Sequence, residues 1–155
     1  MSGADTEPLT VAYRYINARE RTAAEVEAKL ARRGFEPEQV RDAIAELRAL
    51  GYVDDARYAR LFVTDKRLLE AWGSERIARE LARRGVERDL IEAVLEQKAG
   101  EEGELERAVA LIERRWKCPP RDRRERDRAL GVLLRKGYES TLALEALETT
   151  RRRRA

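Results

Sequence analysis

The chain contains no histidine and one cysteine, Cys118. The first absence removes the commonest general base at neutral pH and the commonest transition-metal ligand. Cations beside Lys117-Cys118-Pro119-Pro120 can lower a thiol pKa. Without an imidazole, however, no cysteine–histidine pair can form, and Cys118 is expected to be a small residue in a turn. Asp54-Asp55 is a carboxylate pair that can in principle hold a divalent ion. It follows Gly51-Tyr52-Val53, so Asp54 reads more simply as a helix cap. The Gly100–Gly103 stretch is acidic, would repel phosphate, and reads as a linker. No catalytic residue, cofactor or metal site is expected.

Arginine is the abundant chemistry. Lys29-Leu30-Ala31-Arg32-Arg33-Gly34-Phe35 recurs as Glu80-Leu81-Ala82-Arg83-Arg84-Gly85-Val86 and as Val132-Leu133-Leu134-Arg135-Lys136-Gly137-Tyr138. The copies fall about 50 residues apart, the period of tandem supersecondary modules. Each basic pair can meet the negative end of a helix dipole, worth roughly 0.3–1 kcal/mol, or a polyanionic partner. The contact candidates are Arg32, Arg33, Arg83, Arg84, Arg135 and Lys136, joined by Arg121, Arg123 and Arg124.

Helices must position these residues. Val26, Ile77 and Ala129 stand eight residues before the three glycines, and Leu30, Leu81 and Leu133 four before. Val40, Ile91 and Ala143 follow six after, and Ile44, Leu95 and Leu147 ten after. Steps of four on each side are one helical face. The glycine therefore separates two amphipathic helices and suits the left-handed position that ends the first. Thr22-Ala23-Ala24-Glu25 is a capping box, Pro37 suits a first helical turn, and Ser74 can cap. Leading helices are expected at Leu9–Arg19, Asp55–Leu69 and Leu105–Lys117. The third helices are expected at Pro37–Leu50, Arg88–Lys98 and Ser140–Thr150.

The expected fold is all-α: an elongated array of three tandem three-helix, helix-turn-helix-like repeats. The boundaries are a flexible N-terminus at 1–8, repeats at 9–53, 54–99 and 100–149, and a basic tail at 150–155. Charged residues are 41% and aromatics 6%, which supports a small core in each repeat rather than one deep core. No apolar run approaches the ~20 residues of a membrane span. The N-terminus does not read as a signal peptide, and a lone cysteine fits a reducing cytoplasm. Net charge is +3. Residues 101–155 hold 15 basic and 11 acidic side chains, so the excess sits in the last repeat and its Arg151–Arg154 cluster. The third helices carry Glu38, Asp42, Glu46, Asp89, Glu92, Glu96, Glu145 and Glu148. Such faces meet phosphate badly, which argues against sequence-specific groove reading.

Arg21-Thr22-Ala23-Ala24-Glu25-Val26, Arg33-Gly34-Phe35 and Gly51-Tyr52-Val53-Asp54-Asp55-Ala56-Arg57-Tyr58-Ala59 together resemble the RecX family. Gly73-Ser74-Glu75-Arg76-Ile77-Ala78-Arg79-Glu80-Leu81 and Arg84-Gly85-Val86 continue the resemblance, which runs from about Ala12 to Leu95. Leu133-Leu134-Arg135-Lys136-Gly137-Tyr138 matches more weakly, and Trp72 stands where a basic residue is common in the family. The resemblance implies an elongated regulator acting in homologous recombination, DNA repair and the SOS response, and nothing in the sequence demands more than a monomer. Such a protein binds the RecA–DNA filament in its groove and inhibits ATP hydrolysis, strand exchange and co-protease activity. It implies RecA as partner, with weak, non-specific contact to single- or double-stranded DNA. The alternative is a non-sequence-specific DNA-binding protein acting without RecA. A general scaffold is a third reading.

Overall fold

The computed structural model describes residues 7–97 and 103–154. The segment expected at 1–8 and the linker expected at 100–103 therefore lie largely outside the described residues. Among those residues the chain forms nine helices and no strand. They are α1 Pro8–Ala18, α2 Ala23–Arg32, α3 Pro37–Ala49, α4 Asp55–Glu70, α5 Ser74–Arg83, α6 Arg88–Glu96, α7 Glu104–Arg115, α8 Arg123–Lys136 and α9 Ser140–Arg153.

Local chemistry accounts for most boundaries. Thr22 and Glu25 form the expected capping box on α2, and Pro37 opens α3. Asp54 Oδ1 accepts from the Arg57 amide at 3.0 Å, capping α4. At α5 the outcome differs from expectation. Ser74 is the first helical residue, and the Gly73 carbonyl one place earlier accepts from the Ile77 amide at 3.2 Å. α7 stops at Arg115, with Trp116 extended at its C-cap (φ −120°, ψ 120°). α9 runs past the expected Thr150 to Arg153.

The three glycine turns are one motif. The amides of Phe35, Val86 and Tyr138 donate to the carbonyls of Leu30, Leu81 and Leu133 at 3.0–3.3 Å. Those of Gly34, Gly85 and Gly137 donate to Ala31, Ala82 and Leu134 at 3.0–3.1 Å. This is the paired-bond closure that needs a left-handed residue after the helix, and the three glycines have φ of +88°, +86° and +98°.

Packing divides the chain into two compact units, Met1–Leu61 with Leu81–Ile91, and Phe62–Glu80 with Glu92–Ala155. The division cuts through α4, α5 and α6, so packing units and sequence repeats do not coincide. In the first unit Val26 and Leu30 of α2 pack with Val40, Ile44 and Leu47 of α3 and Val11 and Ala12 of α1. In the second, Ala108, Leu111 and Ile112 of α7 pack with Ala129 and Leu133 of α8 and Ala143 and Leu147 of α9. Buried Arg67 donates to the carbonyls of Leu95 and Gln97 at 3.0 and 2.9 Å, closing the end of α6.

Each unit contains one joint between successive repeats. In the first, the Ala23 amide donates to Asp55 Oδ1 at 2.8 Å, and Thr22 Oγ1 donates to the Arg84 carbonyl at 2.7 Å. Gly85 lies so close to Ala24 that a Cβ would overlap it. In the second, the Ser74 amide donates to Glu104 Oε1. The amides of Gly73 and Glu75 donate to the carbonyls of Lys136 and Gly137 at 2.8 and 3.0 Å. Tyr138 Oη donates to the Ala71 carbonyl at 2.8 Å. Asp55 and Glu104 each open the leading helix of the following repeat, so a carboxylate from that repeat serves the first helical amide of the middle helix before it. Burial pushes the Tyr138 phenol up to about 12. A raised pKa means that its contribution is complete below the usual phenol range and is lost as pH rises through about 12.

A Cβ on Gly34 meets nothing within 4 Å, whereas one on Gly137 would fall 2.6 Å from the Arg76 backbone nitrogen. Gly34→Ala should therefore cost the left-handed strain alone, about 1–2 kcal/mol. Gly137→Ala should add overlap with the α5 backbone, of order 1–3 kcal/mol more. Urea denaturation of the two variants checks this; equal midpoints would show that the turn is not seated against α5.

Candidate interaction surface

Among the described residues no group of three or more His, Cys, Asp or Glu side chains is placed to hold a metal ion. Asp54 and Asp55 both serve backbone amides, and Cys118 is exposed in the α7–α8 connection.

The arginines fare differently from one another. Arg32, Arg33 and Arg83 are exposed at helix ends. Arg84 is half-buried, and its guanidinium donates to Tyr58 Oη while its carbonyl accepts from Thr22. Lys136 is half-buried, and its Nζ donates to the Glu70 carbonyl at 2.8 Å. Arg84 and Lys136 are thus joint residues as well as members of the repeated phrase. Arg121 lines a shallow groove between α8 and α9 together with Arg123 and Arg126.

Arg123, Arg124 and Arg135 come together. With Arg115 and Arg128 they line an open groove of about 780 Å³ between the end of α7 and α8, beside Trp116 and with Asp127 as its carboxylate. Arg124, Arg128, Gly131 and Arg135 follow at steps of four, three and four along α8, one continuous face. The five arginines are exposed, and none makes an ion pair among the described residues. Arg123 and Arg124 occupy the first turn of α8, where the helix dipole favours anions. Asp122 Oδ1, accepting from the Glu125 amide at 2.8 Å, holds that turn in spite of them. Arg124 and Arg128 are a like-charged pair four residues apart, also mildly unfavourable. These placements go against local stability.

The Arg151–Arg154 cluster is engaged within its own domain. Arg151 pairs with Glu148 at 2.7 Å, and Arg153 binds both Glu106 oxygens at 2.9 and 3.1 Å. Arg154 donates to the Lys117 carbonyl at 2.6 Å. The residues missed from sequence are Arg115, Trp116, Arg128 and Gly131. The four-three-four spacing from Arg124 to Arg135 carried the signal for two of them. Arg115 ends α7 and Trp116 is its extended C-cap, and both line the groove from there.

The geometry defines a class: tandem three-helix domains, the third of which carries a basic groove. Sequence models describing the first, second and third three-helix domains of RecX match residues 9–47, 54–95 and 102–147. The chain belongs to the RecX family. It is 36% identical to the regulatory protein RecX of Trichlorobacter lovleyi over 140 residues, covering 88% of this chain and 91% of that one. It is 39% identical to that of Halorhodospira halophila over 139 residues, covering 88% and 84%. The crystal structure of RecX from Lactobacillus salivarius superposes with a TM-score of 0.80 at 21% identity, covering 97% and 98%. That likeness establishes the fold.

A Cβ on Gly131 would come 3.1 Å from Arg135 Nη1, the movable end of a long side chain. Gly131→Ala should therefore raise stability, by up to about 1 kcal/mol for an interior helical glycine, while displacing the Arg135 head. Thermal melting checks it; a lowered Tm would mean that the Arg135 position is fixed rather than yielding.

Proposed function

We propose that this chain is a negative regulator of the RecA recombinase. It binds the RecA–DNA filament and inhibits ATP hydrolysis, strand exchange and co-protease activity. The family match across all three domains carries the reading. The relatives are named regulatory proteins, which fits a binding protein rather than an enzyme. No helix among the described residues is long and apolar enough to cross a membrane, compatible with action in the cytoplasm.

The mechanism is differential binding. A ligand shifts filament subunits only by as much as its affinities for their states differ. Tandem domains of one design offer related surfaces to successive subunits of a polymer, and a monomer seated in the filament groove excludes an incoming duplex. Arg123, Arg124 and Arg135 supply the basic contact with filament or DNA phosphates, and Arg32, Arg33, Arg83 and Arg121 are further contacts. Direct, non-specific DNA binding without RecA is a second reading, favoured by the unpaired arginines of the α7–α8 groove.

DNA-dependent ATP hydrolysis by preformed RecA filaments, titrated with this protein at two salt concentrations, tests the proposal. Inhibition far below the subunit concentration would indicate capping, and inhibition near stoichiometry would indicate groove coating. Arg123→Glu with Arg124→Glu should raise the half-inhibiting concentration roughly tenfold, the equivalent of about 1.4 kcal/mol. Absence of inhibition, with binding to bare DNA that weakens steeply with salt, would replace it with the second reading.

A further inference from the structure

We infer that the α7–α8 groove of the third domain is a single-strand-selective nucleic-acid site, with arginines on the phosphates and Trp116 as the platform for an unpaired base. For its place on a filament the inference rests on the regulatory reading; as a binding site it stands on the following observations.

The groove occupies the position that is covered in the two earlier domains. Gly85 sits against Ala24, ten residues before Gly34, and Gly137 sits against Arg76, nine before Gly85. The residues ten and nine before Gly137 are Asp127 and Arg128, and both line the groove. A following domain seals this position at the first two joints. In the third domain a cationic groove stands at this position.

The lining favours a particular chemistry. Five arginines stand against one carboxylate. The guanidinium fork matches phosphate oxygens bidentately, and these forks have no competing ion pairs among the described residues. Trp116 is half-buried, packs against the third-domain core on one side, and lines the groove on another. Its carbonyl receives Arg154 Nη1 at 3.5 Å and its amide donates to the Ile112 carbonyl at 2.9 Å, so the backbone that carries the ring is held. Arg115 Cζ lies 6.0 Å from the ring centroid. Phosphate-binding cations around an aromatic plane are the two components of single-strand recognition. A duplex keeps its bases stacked inside and can use only the arginines. An acidic peptide would use the ring only through aromatic or apolar side chains of its own.

The test measures binding of the whole protein to a dT oligomer of about 16 nucleotides and to a duplex of the same length, without RecA. The wild type should bind the single strand more tightly and lose tryptophan fluorescence on doing so. Trp116→Leu keeps an apolar side chain against the core and removes the ring. It should weaken single-strand binding roughly 5- to 100-fold, the loss of one stacked base, with duplex binding little changed; Trp116→Tyr should restore it. Arg124→Glu with Arg128→Glu, both exposed and neither in the core, should weaken both ligands and flatten the salt dependence. Equal binding of duplex and single strand by the wild type, or no effect of Trp116→Leu, overturns the inference. Loss of filament inhibition in the arginine variant, without oligonucleotide binding by the wild type, also overturns it. The groove would then meet an acidic protein surface, and the regulatory reading would survive. Oligonucleotide binding as described, without inhibition of RecA, leaves the site in place and removes the regulatory reading.

Discussion

The closest constraint in the molecule is the seat of a left-handed glycine on the start of the preceding repeat's middle helix. Gly85 on Ala24 and Gly137 on Arg76 leave no room for a Cβ. The glycine is thus required twice, by its own backbone angle and by its neighbour. The turn also delivers carbonyls to polar groups at the start of α2 and α5, which would otherwise need water or another cap. Thr22 Oγ1 serves the first joint by accepting from Glu25 at 3.1 Å while donating to Arg84. Gly73 serves the second with its own amide, donating to Lys136. Two different residues make equivalent contacts, so the joint is conserved within the chain as backbone geometry rather than as side-chain identity.

The last turn of α8 belongs to the joint and to the groove at once. The Arg135 carbonyl accepts from Arg76 Nη1 at 3.2 Å, while its side chain lies along the groove. The seat thereby fixes the backbone from which one groove arginine projects. At the other end of α8, Asp122 supplies the cap that Arg123 and Arg124 work against. A site that needs several like charges on one helix face requires stabilisation from outside that face. Here it comes from a buried inner face, with Ala129 and Leu133 fully enclosed and Val132 nearly so.

Local sequence rules carried much of this fold. The glycine phrase, the steps of four on either side, the Thr22 capping box and Pro37 each report bonds within a few residues, and the structure has them. Ser74 shows where such rules stop. Its amide bonds to Glu104, thirty residues away, and no local pattern announces a distant carboxylate. Arg84 shows the same limit. It has the same place in the phrase as exposed Arg33, yet Tyr58 draws it inward. The groove was half legible, since the α8 stripe is a spacing pattern. The approach of Trp116 depends on where α7 ends. Trp116 leaves the helix with extended backbone (φ −120°, ψ 120°), where the sequence pattern predicts helix to Lys117.

The central claim is that an array of RecX domains meets a RecA filament, with the α7–α8 groove at the contact. Amide hydrogen exchange of this chain, alone and on preformed RecA–DNA filaments, tests it most directly, because binding slows exchange wherever a surface is covered and local opening suppressed. The account predicts slowed exchange from Trp116 through the first turns of α8. Unchanged exchange there, with protection confined to α1–α3 or absent altogether, would contradict it.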